Sequence, residues 1–295
     1  MKHLRKRFIL FNILVISCIM FIFTILVGLS EQSDISIRKL IFSLPISIGL
    51  VFISSWLLSK IAIAPIKDAW QKQLDFTADA SHELRTPLST IQTNIDVILS
   101  NPQATVESQM KWLENIKIEN KRMSTLVSDL LLLSRADTNE SIINMDTLNL
   151  TAIIAEVETT FNAMAKQNKI FLNSTLEEGI FIQGDKDRIK QLLVILIDNA
   201  IKYTGPNGKI DISLFKNENS VTIEIADTGI GMSPEETTRV FDRFYRGKQS
   251  RLYNSDGSGL GLSIAKLIAK EHGGKIMVES QISIGSIFKV VIPIP

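Results

Sequence analysis

Two stretches without a charged residue constrain this chain first: "FILFNILVISCIMFIFTILVGL", residues 8–29, and "LIFSLPISIGLVFISSWLL", residues 40–58. Helices of about 1.5 Å rise per residue make both long enough to cross a hydrocarbon layer of about 30 Å. The basic start at Lys2, Arg5, Lys6 and Arg7 also suits a signal peptide. Against that, the first run exceeds a usual signal core, no small-residue cleavage pair follows it, and a second span returns the chain. The expectation is a membrane hairpin over residues 1–60, with a short outer loop at 30–39. Basic residues before the first span, and Lys60 and Lys67 after the second, put both termini on the cytoplasmic side of a plasma membrane, although Arg38 and Lys39 in the loop weaken the contrast.

So short an outer loop cannot bury a core and cannot be a folded ligand-binding domain. Cys18, the single cysteine of 295 residues, lies inside the first run, so no intramolecular disulfide forms and a reducing compartment fits the remainder. A net charge of +1 argues against a nucleic-acid partner.

Beyond the spans, Asp68–Ser100 and Thr105–Asp137 each read as a long helix, with Asn101 and Pro102 marking the turn. Met110, Leu113, Ile116, Met123, Leu126, Val127, Leu130 and Leu133 recur at steps of three and four, apart from one skipped step. Two helices alone cannot bury such stripes. Packing on a second copy gives a four-helix bundle, so a homodimer is expected.

From about Asn149 the pattern turns to mixed helix and strand. "KIDISLF", "VTIEIAD", "KIMVES" and "IFKVVIP" alternate and are β-branched, whereas Asp185–Tyr203, Pro234–Phe241 and Gly259–His272 read as helices. Ser233 and Glu236 have the spacing of a capping box, and Pro234 suits a first helical position. Residues 149–295 are therefore an α/β domain.

Glycines in "DTGIG" (227–231) and "DGSGLGLS" (256–263) permit close approach of backbone N–H groups to phosphate, and the second leads into a helix N-terminus. Tight turns explain either stretch taken alone. The spacing is neither GxxxxGK[ST] nor GxGxxG, which rules out a P-loop and a Rossmann site. "QLLVILIDNAIKYT" carries Ile189, Leu193, Leu196 and Ala200 on one face and Arg188, Gln191, Ile195, Asn199 and Lys202 on the other. Asn199 and Lys202 then share a face, where an amide oxygen suits Mg²⁺ and an ammonium suits phosphate. An ordinary amphipathic helix explains this stretch equally.

"ASHELRTPL", "DNAIKYT", "DTGIG", "FDRFYRG" and "GSGLGLS" stand in one order over roughly residues 70–295. Together they resemble the H, N, G1, F and G2 boxes of membrane-bound sensor histidine kinases of bacterial two-component systems. The resemblance implies a signalling linker at 61–75, a dimerisation and histidine phosphotransfer hairpin at 76–140, and an ATP-binding α/β sandwich shared with Hsp90, gyrase and MutL at 149–295. It implies that His82 accepts the γ-phosphoryl group of ATP and passes it to a response-regulator aspartate, with Glu83 as hydrogen-bonding base. Thr86 would orient water for phosphatase action on that regulator, and Pro87 would kink the helix. A neutral imidazole is a competent nucleophile near neutral pH.

In the nucleotide site, the resemblance assigns Asn199 to Mg²⁺, Lys202 and Tyr203 to the phosphate and ribose side, and Asp227 to the adenine amino group. Gly229 and Gly231 would shape the pocket, with Gly257, Gly259, Leu260 and Gly261 beside the phosphates. Residues 246–256 would form a lid with Phe241 and Phe244 as its apolar latch, although core packing explains those rings nearly as well. Two features depart from the family pattern: Ile195 replaces a frequent asparagine, and about 20 residues between the second span and His82 leave no room for a HAMP relay.

Input would come from the bilayer lipid, from a compound at its surface, or from a neighbouring membrane protein such as a transporter. Two further functions remain open: another ATPase of the same sandwich superfamily, which would need neither His82 nor a dimerisation hairpin, and a membrane-tethered pseudokinase, at which Ile195 hints.

Overall fold

The structure is a computed structural model that describes residues 14, 16–18, 21–22, 25, 35–137, 143–253 and 257–294. It divides into two compact units, residues 1–78 and 79–295. Among the described residues no helix is long and apolar enough to cross a membrane. Most of the first expected span lies outside the described residues, as does Asp256. The second expected span has helical backbone within α1 (Ile35–Ser100), which begins inside the expected outer loop, so residues 35–39 are helix instead.

α1 runs through Pro87 without interruption and ends where Asn101 and Pro102 were expected to turn the chain. α2 (Val106–Asp137) completes the hairpin. The anticipated stripe on α2 splits into two faces. Leu126 and Leu133 are buried within the chain, whereas Met110, Leu113 and Val127 remain exposed.

The α/β part adds β1 (Asp146–Asn149), α3 (Leu150–Gln167), β2 (Phe171–Leu176), β3 (Phe181–Gly184) and α4 (Lys186–Tyr203). It continues with β4 (Lys209–Asn217), β5 (Ser220–Asp227), α5 (Pro234–Arg239), α6 (Lys248–Tyr253), α7 (Gly261–Glu271), β6 (Lys275–Gln281) and β7 (Gly285–Pro293). The larger sheet has the order β2-β4-β5-β7-β6, and only the β2–β4 pair is parallel. β1 and β3 form a separate antiparallel pair, with Leu148 opposite Ile182.

Period-two alternation explains the two layers. Ile210, Ile212 and Leu214 of β4 are buried and their neighbours Lys209 and Asp211 are exposed, so one face of the sheet meets the helices. α4 packs on β5 and between α3 and α7. Its residues Ile189, Leu192, Leu193, Leu196 and Ile197 are all 0% exposed, each contributing about 2 kcal/mol by apolar burial.

Polar links fix where α4 starts and α7 ends. Asp185 Oδ1 caps α4 by accepting from the N–H groups of Asp187 and Arg188 at 3.0 and 3.1 Å, and Oδ2 accepts from Asn144 N at 3.2 Å. Buried His272, just past α7, accepts the Asp185 N–H at Nε2 (3.0 Å). That bond assigns the other ring proton to Nδ1, which lies 2.8 Å from the Ile268 carbonyl.

Burial acts to raise the Asp185 carboxyl, but the N–H groups of Arg188, Asn144 and Asp187 outweigh it and hold the group below its ordinary 3.8. The contribution of the ionised cap is present above that ordinary value and is lost as pH falls through the depressed one. Asp185→Ala is expected to cost about 1 kcal/mol at pH 7. Denaturant titrations at descending pH should show the gap between the two proteins closing below 3.8.

Candidate active site

A cavity of about 420 Å³ opens between the C-terminal half of α4, the end of β5, the loop after α5 and the start of α7. Asn199, Lys202 and Tyr203 of α4 line it, and so does Asp227, the last residue of β5. Gly231, Gly257, Gly259 and Gly261 complete that side. Residues far apart in sequence therefore meet where the motifs place them. Gly229 and Leu260 are buried just behind the wall.

The glycines are needed chiefly for chain packing. Gly231 has φ +64°, and a Cβ there would lie 1.9 Å from the Gln281 carbonyl oxygen. Gly259 has φ +73°, and its Cβ would lie 2.7 Å from the carbonyl carbon of Phe244, itself at φ +60°. Any side chain at Gly259 would push the two loops apart, which explains why both motifs occur together.

Asp227 accepts the Gly229 N–H at 2.8 Å. Burial raises its carboxyl above 3.8, opposed by hydrogen bonds from the Gly229 and Ser286 N–H groups. One oxygen stays committed to the turn, leaving the group able to accept a further donor from the cavity. Lys202 is paired with Asp198 one turn back. The Asn199 amide has no partner among the described residues, although it faces the cavity. No cluster of three His, Cys, Asp or Glu that could hold a metal occurs among the described residues. An amide oxygen beside a phosphate-sized opening nevertheless fits Mg²⁺, which completes its oxygen shell with nucleotide phosphates.

Ile195 lines the cavity and is only half-buried. A Cβ on Gly261 would lie 3.3 Å from Ile195 Cγ2, so this side chain covers the first turn of α7. The two phenylalanines differ from the latch expectation. Phe241 packs edge-on against Phe288 of β7, with centroids 6.4 Å apart, and so belongs to the apolar packing of the sheet. Phe244 supplies the backbone beneath Gly259.

Sequence reasoning missed two bonds at the borders of the segment expected to form a lid. Arg246 Nη1 donates to the Gly257 carbonyl at 2.8 Å, linking the residues at either border of that segment. Glu236 accepts the Ser233 N–H at 2.9 Å in the expected capping box, while its other oxygen accepts the Lys248 N–H at 3.1 Å at the start of α6. The box was legible from spacing, but nothing local signals the second bond.

The hairpin closes the cavity. Glu83 and Pro87 of α1, and Arg122, Thr125 and Asp129 of α2, form that wall. His82 is exposed and off the wall. The Thr86 hydroxyl lies 3.5 Å from the His82 carbonyl oxygen. Asp129, absent from the sequence-based reading, has no hydrogen-bond or ion-pair partner among the described residues, and burial pushes its carboxyl up to about 6.

A helical hairpin with an exposed histidine, joined to an α/β sandwich with a nucleotide-sized cavity, defines the histidine-kinase class of two-part proteins. Residues 72–139 match the family described as His Kinase A (phospho-acceptor) domain, and residues 184–295 match Histidine kinase-, DNA gyrase B-, and HSP90-like ATPase. The sensor histidine kinase RppB of Synechocystis is 36% identical over 253 residues, 85% of this chain and 56% of that protein. The chain spans about half the length of the curated relatives it matches.

Among solved structures, the Acinetobacter baumannii histidine kinase AdeS covers 72% of this chain, and the chain covers 98% of it, with TM-score 0.59 and 28% identity. The histidine kinase ThkA, solved in complex with the response regulator protein TrrA, gives TM-score 0.60 and 26% identity over 78% of this chain and 64% of that one. This chain belongs to the sensor histidine kinases.

The raised Asp129 gives a test of the closed cavity. Above about 6 the folded state bears the cost of a buried carboxylate, whereas below the ordinary 3.8 both folded and unfolded chains hold the proton. Asp129→Asn should therefore stabilise the protein at pH 8, with the gain fading as pH falls through 6. Unfolding midpoints at pH 8, 6.5 and 5 check the trend, and a loss of stability at pH 8 would reveal an ionic partner.

Proposed function

We propose that the chain is an ATP-dependent protein-histidine kinase that phosphorylates His82 and then an aspartate of a response regulator. The observation carrying this reading is the convergence of Asn199, Lys202, Tyr203 and Asp227 on one glycine-rimmed cavity beside the His82-bearing hairpin. The unprotonated imidazole nitrogen of His82 attacks the γ-phosphorus of ATP, the bond to the bridging oxygen breaks and ADP leaves, and the proton on the other ring nitrogen passes to Glu83. Asp227 accepts a hydrogen bond from the adenine amino group. Lys202, released from Asp198, meets phosphate, Tyr203 lies on the ribose side, and Asn199 would hold Mg²⁺. Bound Mg²⁺ supplies charge neutralisation to the phosphates. Gly257, Gly259 and Gly261 border the phosphates, with Gly229, Gly231 and Leu260 supporting the turns.

Thr86 orients water when the regulator is dephosphorylated. The response-regulator complex of the similar kinase ThkA supports a receiver-domain partner. Exposed Leu88, Ile95, Leu99, Met110 and Leu113 on the hairpin support homodimerisation into a four-helix bundle. Ile48, Phe52, Ile53 and Trp56, all about half-exposed or more, support contact with lipid in the two-span hairpin at the plasma membrane. The ten residues between the two expected spans support input from the bilayer or from a neighbouring membrane protein.

Incubation with γ-labelled ATP tests the nucleophile. His82→Gln should abolish acid-labile, alkali-stable label on the protein and leave ATP affinity unchanged, because His82 lies off the cavity wall. Retained labelling would overturn the assignment.

Ile195 gives a graded test. Its partly buried position on the cavity wall beside Gly261 puts an amide there within reach of the cavity. Ile195→Asn should raise autophosphorylation several-fold, corresponding to about 1 kcal/mol for one added hydrogen bond, with melting unchanged. A slower and less stable variant would assign Ile195 to packing.

A further inference from the structure

We propose that Asp137 and Arg243 are positioning residues for autophosphorylation: their ion pair holds the nucleotide cavity against the hairpin in a resting arrangement that must open before His82 reacts. This inference rests on the kinase reading above. Asp137 is the last residue of α2, and Arg243 lies in the loop after α5. Arg243 Nη1 donates to Asp137 Oδ2 at 2.9 Å and Nη2 donates to Oδ1 at 2.7 Å, a two-pronged geometry across 106 residues of sequence. A planar guanidinium matched to a carboxylate fixes direction as well as distance, which a single lysine contact would not.

The arrangement so held is unsuited to phosphoryl transfer to His82. Glu83, Pro87 and Asp129 contribute to the cavity wall, while His82 does not. A helix turns by about 100° per residue, so the face bearing Glu83 is not the face bearing His82. A phosphoryl donor in this cavity meets the wrong side of α1, and the sandwich has to shift along the hairpin for reaction.

The hairpin wall is mixed in charge, with the Glu83 and Asp129 carboxyls beside the Arg122 guanidinium, so it does not by itself hold the two parts together. Any contact that favours docking in this register therefore lowers the fraction of molecules ready to react. The Arg243 and Asp137 side chains are 31% and 48% exposed, so water and salt weaken the pair and make it breakable.

The test uses the full chain in detergent, with Arg243→Gln, Asp137→Asn and the charge-exchanged double variant Asp137→Arg/Arg243→Asp. Each single variant should raise the initial autophosphorylation rate at saturating ATP about two- to five-fold, the range expected of a partly exposed pair. Affinity for a fluorescent ATP analogue should not change, and the double variant should return toward the parent rate. Added salt should accelerate the parent and leave the single variants unaffected. Unchanged or slower single variants, altered nucleotide affinity, or a double variant as fast as the singles would each overturn the proposal. Failure of the kinase reading is separately visible as labelling that survives His82→Gln.

Discussion

The burial of one face of α4 against the sheet, α3 and α7 is the constraint on which the site depends. Ile189, Leu193, Leu196 and Ala200 have almost no exposure, so the helix cannot rotate about its axis without lifting several apolar side chains into water. Asn199 and Lys202 project into the cavity because the opposite face is fixed. The helix cannot slide along its axis either, since its first turn is tied through Asp185 to His272 at the end of α7. One apolar seam and one polar link therefore set both the angle and the height of the polar stripe.

The same logic extends to the loops. Gly231 must pass close to the Gln281 carbonyl and Gly259 close to the Phe244 backbone, so the glycine motifs record where separate segments touch. A cavity follows from that contact: the segments meet tightly behind the wall and remain apart in front of it. Asp227, at the end of the central strand, is anchored by the Gly229 N–H, which suits a carboxyl that recognises a fixed donor.

Periodicity and motifs made much of this legible. The strands from Lys209, Ser220, Lys275 and Gly285 are long enough for alternation to stand out, and α4 carries a clean apolar stripe. The short β1 and β3 were not readable, since four residues cannot show a period against background. β2 was missed for another reason: its residues are mostly exposed and its pairing to β4 is parallel, fixed by tertiary packing and by no local turn. Asn199, Asp227 and the glycines could be named in advance because motif spacing encodes them. Asp129, the second bond of Glu236 and the packing of Phe241 on Phe288 could not, because each depends on a partner far away in the chain.

The contrast between the two contacts of α7 shows where the molecule is built to stay fixed and where to move. Toward α4 and the sheet, α7 presents Ile264, Ala265, Ile268 and Ala269, none more than 1% exposed, and such a seam separates only with loss of the fold. Toward the hairpin, α7 also packs on α2, but a solvent-reachable cavity and a partly exposed ion pair lie beside that contact in place of a continuous apolar core. Polar, incompletely packed contacts between parts of a chain permit relative motion, because water can replace each interaction as it breaks. His82 is carried by the hairpin, whereas most of the cavity lining is carried by the sandwich. In the proposed kinase, with an acceptor on one part and a donor site on the other, such a division lets the donor site stay rigid within itself while it leaves one face of the hairpin and engages another.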